Sequence, residues 1–567
     1  MKKHSTQNKQ TLAAIILGLL TASSSVTAAT YDLLDRQQNS FGGGSEQFAP
    51  SPNESSNSPS ILESLQQSEI NKKKSEYLEV LNLLKENKVD EADKKVTELL
   101  KNNPNEAGFI NLQALVFTIK KDLPAAEQSY QKAISLDPKN ILAYLGLAKL
   151  NLEENKLDQA KENANKGLAI NDKAINAYLL LADIALKQRN TVEVENVLTA
   201  ALEKVKGDVN AEAEIVKNLG KFYASEKQPE KILPLSEDLI KRYPNDNIAL
   251  SLLAGAQLAN NKKDLAEQSL RKIINNDKQD ISHRLLIAQL LSEQTGKEKD
   301  VLALLDETAK IDTTNPQASL FKTAYLIKLG RTKEALDLAT KLDKQFPKLP
   351  LGKVLQGDAY IADKKLDKAT AAYQKAYQQQ ANDKILFTIA DLLSAQKKPA
   401  DAIKLLDTEL AKNPKNIGIH FKLATTYQQQ NDYKQAENHY QAMLAEQPDN
   451  LLALNNLAWV YSQQKDPKAI EFGKKAFEKA PESAAIADTY GYILLKQGQP
   501  AEGLTILEKA AGLAPKANDI QFHLAEAYVA NNNKQKALEI LETIVKVDQD
   551  FSEKKAAVSL LEQLKAK

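Results

Sequence analysis

From about residue 73 onward, apolar and polar positions alternate with the period of an amphipathic helix, and the pattern then recurs as a block. One block reads Ala126, Tyr130, Ala133, Pro138; another reads Ala436, Tyr440, Met443, Pro448, and a weaker one Ala92, Val96, Leu99, Pro104. The first three members fall on one helical face, and proline ends the helix because its ring removes a donor and crowds the preceding turn. Prolines at 104, 138, 244, 347, 414, 448, 481 and 515 are spaced by about 34 residues or near multiples of it. Alanine stands twelve residues before several of them, as at Ala92, Ala126, Ala335, Ala402 and Ala436. A second helix precedes each of these. Its eighth position is small in twelve blocks: Ala114, Ala148, Ala182, Gly220, Ala254, Ala288, Gly357, Ala390, Ala424, Ala458, Gly491 and Ala525. Tyrosine follows three residues later at Tyr223, Tyr360, Tyr427, Tyr461 and Tyr528. A small residue lets paired helices approach, and a bulky one fills the space a turn further on.

This spacing resembles the tetratricopeptide repeat, a helix–turn–helix unit of about 34 residues. The resemblance implies an all-α, right-handed superhelical α-solenoid of about 14 units over residues 61–550, with a capping helix in 551–567, roughly Ser552 to Ala566. Two units depart from the pattern. The fifth carries Pro234 within its expected second helix, which predicts a kink, and the seventh carries an insertion near Gln294, Thr295 and Gly296.

Residues 1–29 read as an export signal: Lys2, Lys3 and Lys9, then an apolar run from Leu12 to Leu20, then small residues up to Ala29. An uncleaved anchor is the alternative, although the run is shorter than the roughly 20 residues that span a bilayer. Residues 30–60 are rich in Gly, Ser, Asn, Gln and Pro and read as a disordered tether, with Phe41 and Phe48 as its only anchors should it dock. No later stretch is apolar enough to span a membrane, so the mature chain is expected in the periplasm or at the outer membrane.

Composition narrows the chemistry. Lys+Arg 75 against Asp+Glu 74 leaves a net charge of +1, too little basic excess for a nucleic-acid binder. Only six arginines are present, and planar recognition of phosphate or carboxylate favours arginine over lysine. With no cysteine there is no disulfide, thiolate site or lipid-anchored cysteine. HExxH, GxSxG, P-loop and GxGxxG signatures are missing, so no catalytic, cofactor or metal residue is assigned. His283, His420 and His523 fall in first helices and His439 in a second helix, none with a helix-borne partner ligand at the spacing a metal site uses.

By resemblance, such solenoids bind peptides or proteins in a concave groove lined by first-helix positions 2, 5, 6, 9, 12 and 13. The Lys/Asn set that holds a carboxylate tail is not rebuilt in any three consecutive units. The asparagine ladder of the sugar-transferase versions is reduced to Asn218 and Asn456. Leu145, Leu179 and Val354 typify the earlier units, whereas the last four place Phe421, Asn455, Asn456, Trp459, Asp488, Tyr492, Phe522 and Glu526 at groove positions. Aromatics rimmed by Asn, Asp and Glu suit a peptide anchor or a sugar ring; packing between neighbouring units is the alternative. The strings LNNLAWVY (454–461), DTYGYILLKQG (488–498) and FHLAEAY (522–528) resemble the closing units of exported bacterial repeat proteins of exosortase (PEP-CTERM) and exopolysaccharide systems. The expectation is a non-enzymatic envelope scaffold for exopolysaccharide or surface-protein export and assembly. The alternatives are a carbohydrate-binding repeat protein and a regulatory subunit of an envelope synthase or hydrolase.

Overall fold

Helix, short turn, helix, link: this sequence of elements occurs fourteen times between Ile61 and Lys546, and a last helix, Lys554–Ala566, follows. The computed structural model describes residues 61–547 and 551–566; the expected export signal (1–29) and tether (30–60) lie outside the described residues. Among the described residues there are 29 α-helices, a short 3₁₀ turn at Pro229–Lys231 and no strand. The chain divides after Asp312 into two compact units. Repeats one to seven make the first α-solenoid; repeats eight to fourteen and the last helix make the second.

The turn inside each repeat is built the same way. Its middle residue has positive φ in all fourteen: asparagine at 87, 155, 261, 431 and 532; lysine or arginine at 121, 189, 227, 364, 397 and 465; glycine at 296, 330 and 498. In thirteen of them that residue's N–H reaches back three residues and the next N–H reaches back five, as with Asn431 to Gln428 and Asp432 to Tyr427 at 3.0 Å each. This is the Schellman closure, which satisfies carbonyls left over at the helix end. The seventh repeat is the exception: the insertion foreseen there lengthens the turn between Ser292 and Glu298, and Gly296 takes φ +83°. Links between repeats are closed differently. In three of them proline follows the second helix, and Asn two residues later caps the next one: Asn140, Asn416 and Asn450 accept from the backbone N–H groups of Ala143, Ile419 and Ala453 at 3.1, 3.0 and 3.0 Å.

In the first unit, Pro234 does not kink a long helix. It sits in the opening turn of Ile232–Arg242, where its missing N–H breaks no bond, and the preceding turn tightens to 3₁₀. The same repeat buries Glu212 completely. Its carboxylate accepts from the Gly207 N–H (2.9 Å) and the Tyr243 hydroxyl (2.8 Å) and pairs with Arg242. The repeat's first helix is thereby tied to the end of its second.

In the second unit the helices of repeat thirteen touch backbone to backbone. A Cβ on Gly503 would lie 2.8 Å from the Gly491 carbonyl oxygen and 2.9 Å from the Leu495 nitrogen. The eighth position, Gly491, therefore needs a glycine partner across the pair. The last helix buries Ala557 and Leu564 against Ala537, Leu541 and Ile544 of repeat fourteen.

Two substitutions test this reading, with unfolding of the second unit followed by Trp459, the single tryptophan. Lys397→Gly, at φ 59°, should raise stability by about 0.5–1 kcal/mol, because the left-handed conformation burdens any side chain. Gly503→Ala should lower it by about 1–3 kcal/mol, since the backbone it meets cannot step aside.

Candidate functional site

All eight residues expected at the groove lie in the last four repeats of the second unit, but they are not equivalent. Position five varies: Phe421, Asn455 and Asp488 hold it half-buried, and Phe522 holds it buried. Phe522 is 4% exposed within the core of repeats thirteen and fourteen, and Leu145 and Leu179 at the same position are buried in the first unit. Phe522 is therefore a core residue and unavailable to a ligand. Phe421 is half-buried, edge-on to Tyr440 with ring centres 6.3 Å apart. Asn455 and Asn456 are half-buried side by side in the first helix of repeat twelve, Leu451–Gln463.

Position nine stays at the surface. Trp459, Tyr492 and Glu526 hold it in repeats twelve, thirteen and fourteen, and each is half-buried. Trp459 leans edge-on against Tyr433, ring centres 5.7 Å apart at 73°. Tyr492 stacks on His523 at 4.0 Å, and the Lys496 ammonium lies 4.7 Å from the centre of the Tyr492 ring. These side chains thus contact the neighbouring repeat and keep part of their surface free.

Asp488, Tyr492, His523 and Glu526 are drawn into one polar cluster. His523 Nδ1 lies 2.8 Å from Asp488 Oδ1, and Nε2 lies 3.1 Å from Glu553 Oε2, just before the last helix. Lys496 pairs with Glu526 at 3.0 Å. Burial pushes the Tyr492 phenol far up, and the negative charges of Glu526, Glu553 and Asp488 push it further. Burial pulls the other way on His523, but the hydrogen bond and charge of Asp488, with Glu553 and Glu526, raise it above the ordinary histidine value.

A second histidine site was not legible from spacing along one helix. His420 of the first helix and His439 of the second helix in repeat eleven meet Nδ1 to Nδ1 at 3.0 Å. His420, 8% exposed, has its Nε2 2.9 Å from the Pro414 carbonyl oxygen. That oxygen only accepts, so Nε2 carries the proton, the His420 Nδ1 is a lone pair, and His439 donates to it. His439 also stacks on Tyr427 at 5.7 Å. Burial, and then the neighbouring His420, lowers His439 to about 4. His283 is likewise paired, 2.6 Å from Asp280 Oδ2. Among the described residues no three His, Asp or Glu side chains are arranged to hold a metal ion.

The second helices of repeats eleven and twelve border a separate open cleft of about 540 Å³, lined by Leu444, Pro448, Leu454, Phe472 and Lys479. Its ionic groups are already paired, Lys479 with Asp449 at 2.7 Å and Lys475 with Glu471 at 2.6 Å. No described helix is long and apolar enough to cross a membrane.

His439 has a pH signature. Because His439 is lowered when folded, the unfolded chain binds more protons between about pH 6.5 and 4, and stability is lost as pH falls through that window. Acidification from pH 7 to 5 should cost the second unit on the order of 1 kcal/mol after allowance for solvent screening. His439→Gln should remove most of that dependence in denaturant titrations run at the two pH values.

A tetratricopeptide repeat profile matches residues 118–173, 393–450 and 494–564, and a second one matches residues 77–141. No curated protein sequence matches the chain. Several solved structures resemble it at low identity. A chain of Naa15/Naa10 bound to HypK-THB is 14% identical, with 87% of this chain and 96% of that one covered and a TM-score of 0.44. Yeast Tom70 is 14% identical over 81% and 96%, with a TM-score of 0.35. A tetratricopeptide repeat protein from Parabacteroides merdae is 16% identical over 45% and 100%, with a TM-score of 0.36.

Proposed function

The chain is a tetratricopeptide-repeat protein, and on that premise we propose that it is a non-enzymatic scaffold holding protein or peptide partners on the first-helix face of its second unit. One observation carries the reading: Trp459 and Tyr492 stand at the same position of consecutive repeats, each only half-buried. Large aromatics that are anchored by neighbours, yet stay partly exposed, lose little entropy on binding and dominate interface energies. Asp488, Glu526 and Asn456 supply a polar rim to orient the partner. The small eighth-position residues and close helix packing leave this chain's interior to stacking, which suits a surface role.

The reading extends to the cell envelope. Residues 1–29 have the charge, apolar run and small-residue tail of an export signal, and residues 30–60 the composition of a tether. The strings at 454–461, 488–498 and 522–528 resemble exported bacterial proteins of exosortase and exopolysaccharide systems, and we assign the scaffold to that kind of export or assembly machinery. A second reading has an observation of its own. Flat aromatic faces beside Asn, Asp and Glu also fit a sugar ring, so direct binding of polysaccharide is the competing function.

The test uses the mature chain and its Trp459→Ala and Tyr492→Ala variants, each checked for retained helical signal. Capture of a discrete protein partner from envelope extract should fall by at least tenfold in both variants, as expected for interface anchors. Retained capture in both variants contradicts the assignment of this face. Loss of binding to purified polysaccharide, with protein capture untouched, establishes the sugar reading instead.

A further inference from the structure

His523 is placed as a junction between three elements. It sits in the first helix of repeat fourteen, Asn518–Ala530. One ring nitrogen faces Asp488 in the first helix of repeat thirteen at 2.8 Å, and the other faces Glu553, which leads into the last helix, at 3.1 Å. Both facing atoms are carboxylate oxygens. A neutral imidazole has one N–H and one lone pair, so it can donate to only one of them and turns its lone pair on the other. The imidazolium has an N–H on both nitrogens, so it donates to Asp488 and meets the Glu553 carboxylate with positive charge. The charge state of this ring therefore decides whether the contact with Glu553 attracts or repels.

We infer that protonated His523 is a latch holding the C-terminal helix on the last repeat, and that loss of its proton loosens that helix.

Every charged group facing the ring bears on the sign. From repeat thirteen come Asp488, the Tyr492 phenol stacked on the ring, and Lys496, which is already paired with Glu526. From repeat fourteen come Glu526 and, one turn earlier, Asp519, which accepts from the Ser552 hydroxyl at 2.5 Å. From the chain leading into the last helix come Glu553 and Lys554, whose ammonium is 2.8 Å from the Val547 carbonyl oxygen. Four carboxylates against two lysines favour the imidazolium, in keeping with the upward direction of His523. A histidine raised in the docked state binds its proton more tightly docked than released. Its contribution is complete below the ordinary histidine range near pH 6.5 and disappears as pH rises through the docked-state value. Release is thus favoured by alkali. The apolar contacts of Ala557 and Leu564 remain, so the helix shifts its opening equilibrium without depending on the latch alone. The latch stands whether or not the first-helix face binds protein.

The absence of native cysteine makes the opening measurable. A single thiol is introduced by Ala557→Cys at a fully buried site, or by Ser559→Cys at an exposed one, and labelled between pH 5.5 and 8.5 in the full chain. The ratio of buried to exposed labelling should rise by up to about tenfold per pH unit across the His523 titration. That rise should vanish in a Glu553→Gln background, where the carboxylate charge is gone and the core is untouched. Amide exchange over residues 551–566 in the cysteine-free chain reads the same opening should Ala557→Cys perturb the helix. A ratio and an exchange profile that stay flat with pH overturn the latch, and so does an equal rise in the Glu553→Gln background.

Discussion

No helix pair in this chain can cover its own apolar face, and the rest of the structure follows from that constraint. Each repeat must bury its stripe against the next, so the residues at the crossing must be small enough to let backbones approach. Ala114, Ala148, Ala288, Ala424, Ala458 and Ala525 meet this requirement, all fully buried. In repeat thirteen, where backbone meets backbone, both sides of the contact are glycine. The side chains left over, on the outward part of the first helices, are then available for recognition.

Much of this is visible in the amino-acid sequence, because burial at a fixed period leaves a fixed pattern of small and apolar residues. The repeat length and the number of repeats follow from it. What escapes the pattern is whatever depends on backbone conformation or on meetings across a turn. The left-handed turn residues are as often lysine as asparagine, and lysine carries no turn signal in a lysine-rich chain. Val80 and Thr323 hold the eighth position in repeats one and eight, fully buried, where a search for alanine or glycine passes over them. His420 and His439 lie nineteen residues apart on opposite helices, so no spacing rule for one helix brings them together. Glu212 reads as a surface carboxylate until Gly207, Arg242 and Tyr243 are seen around it.

The candidate site was legible in part. The aromatic character of the last four repeats is plain from the residues, but which of them is buried is a matter of helix packing. Phe522 belongs to the core, whereas Phe421, Trp459 and Tyr492 are half-buried. The two buried histidine sites of this unit respond to protons in opposite senses. His439 is lowered by burial beside another imidazole, and His523 is raised by carboxylates on both sides. The same residue type thus serves opposite electrostatic ends in repeats eleven and fourteen, depending on its neighbours rather than on its own helix.

If stacking between neighbours is the governing constraint, damage to one repeat must stay local. Leu457→Ala opens a cavity at a fully buried position of repeat twelve, and amide exchange along the whole chain reads where stability is lost. The account predicts that protection falls in repeat twelve and declines in its effect through adjoining repeats of the second unit, with repeats one to seven unchanged. A uniform loss of protection along the entire chain would contradict it.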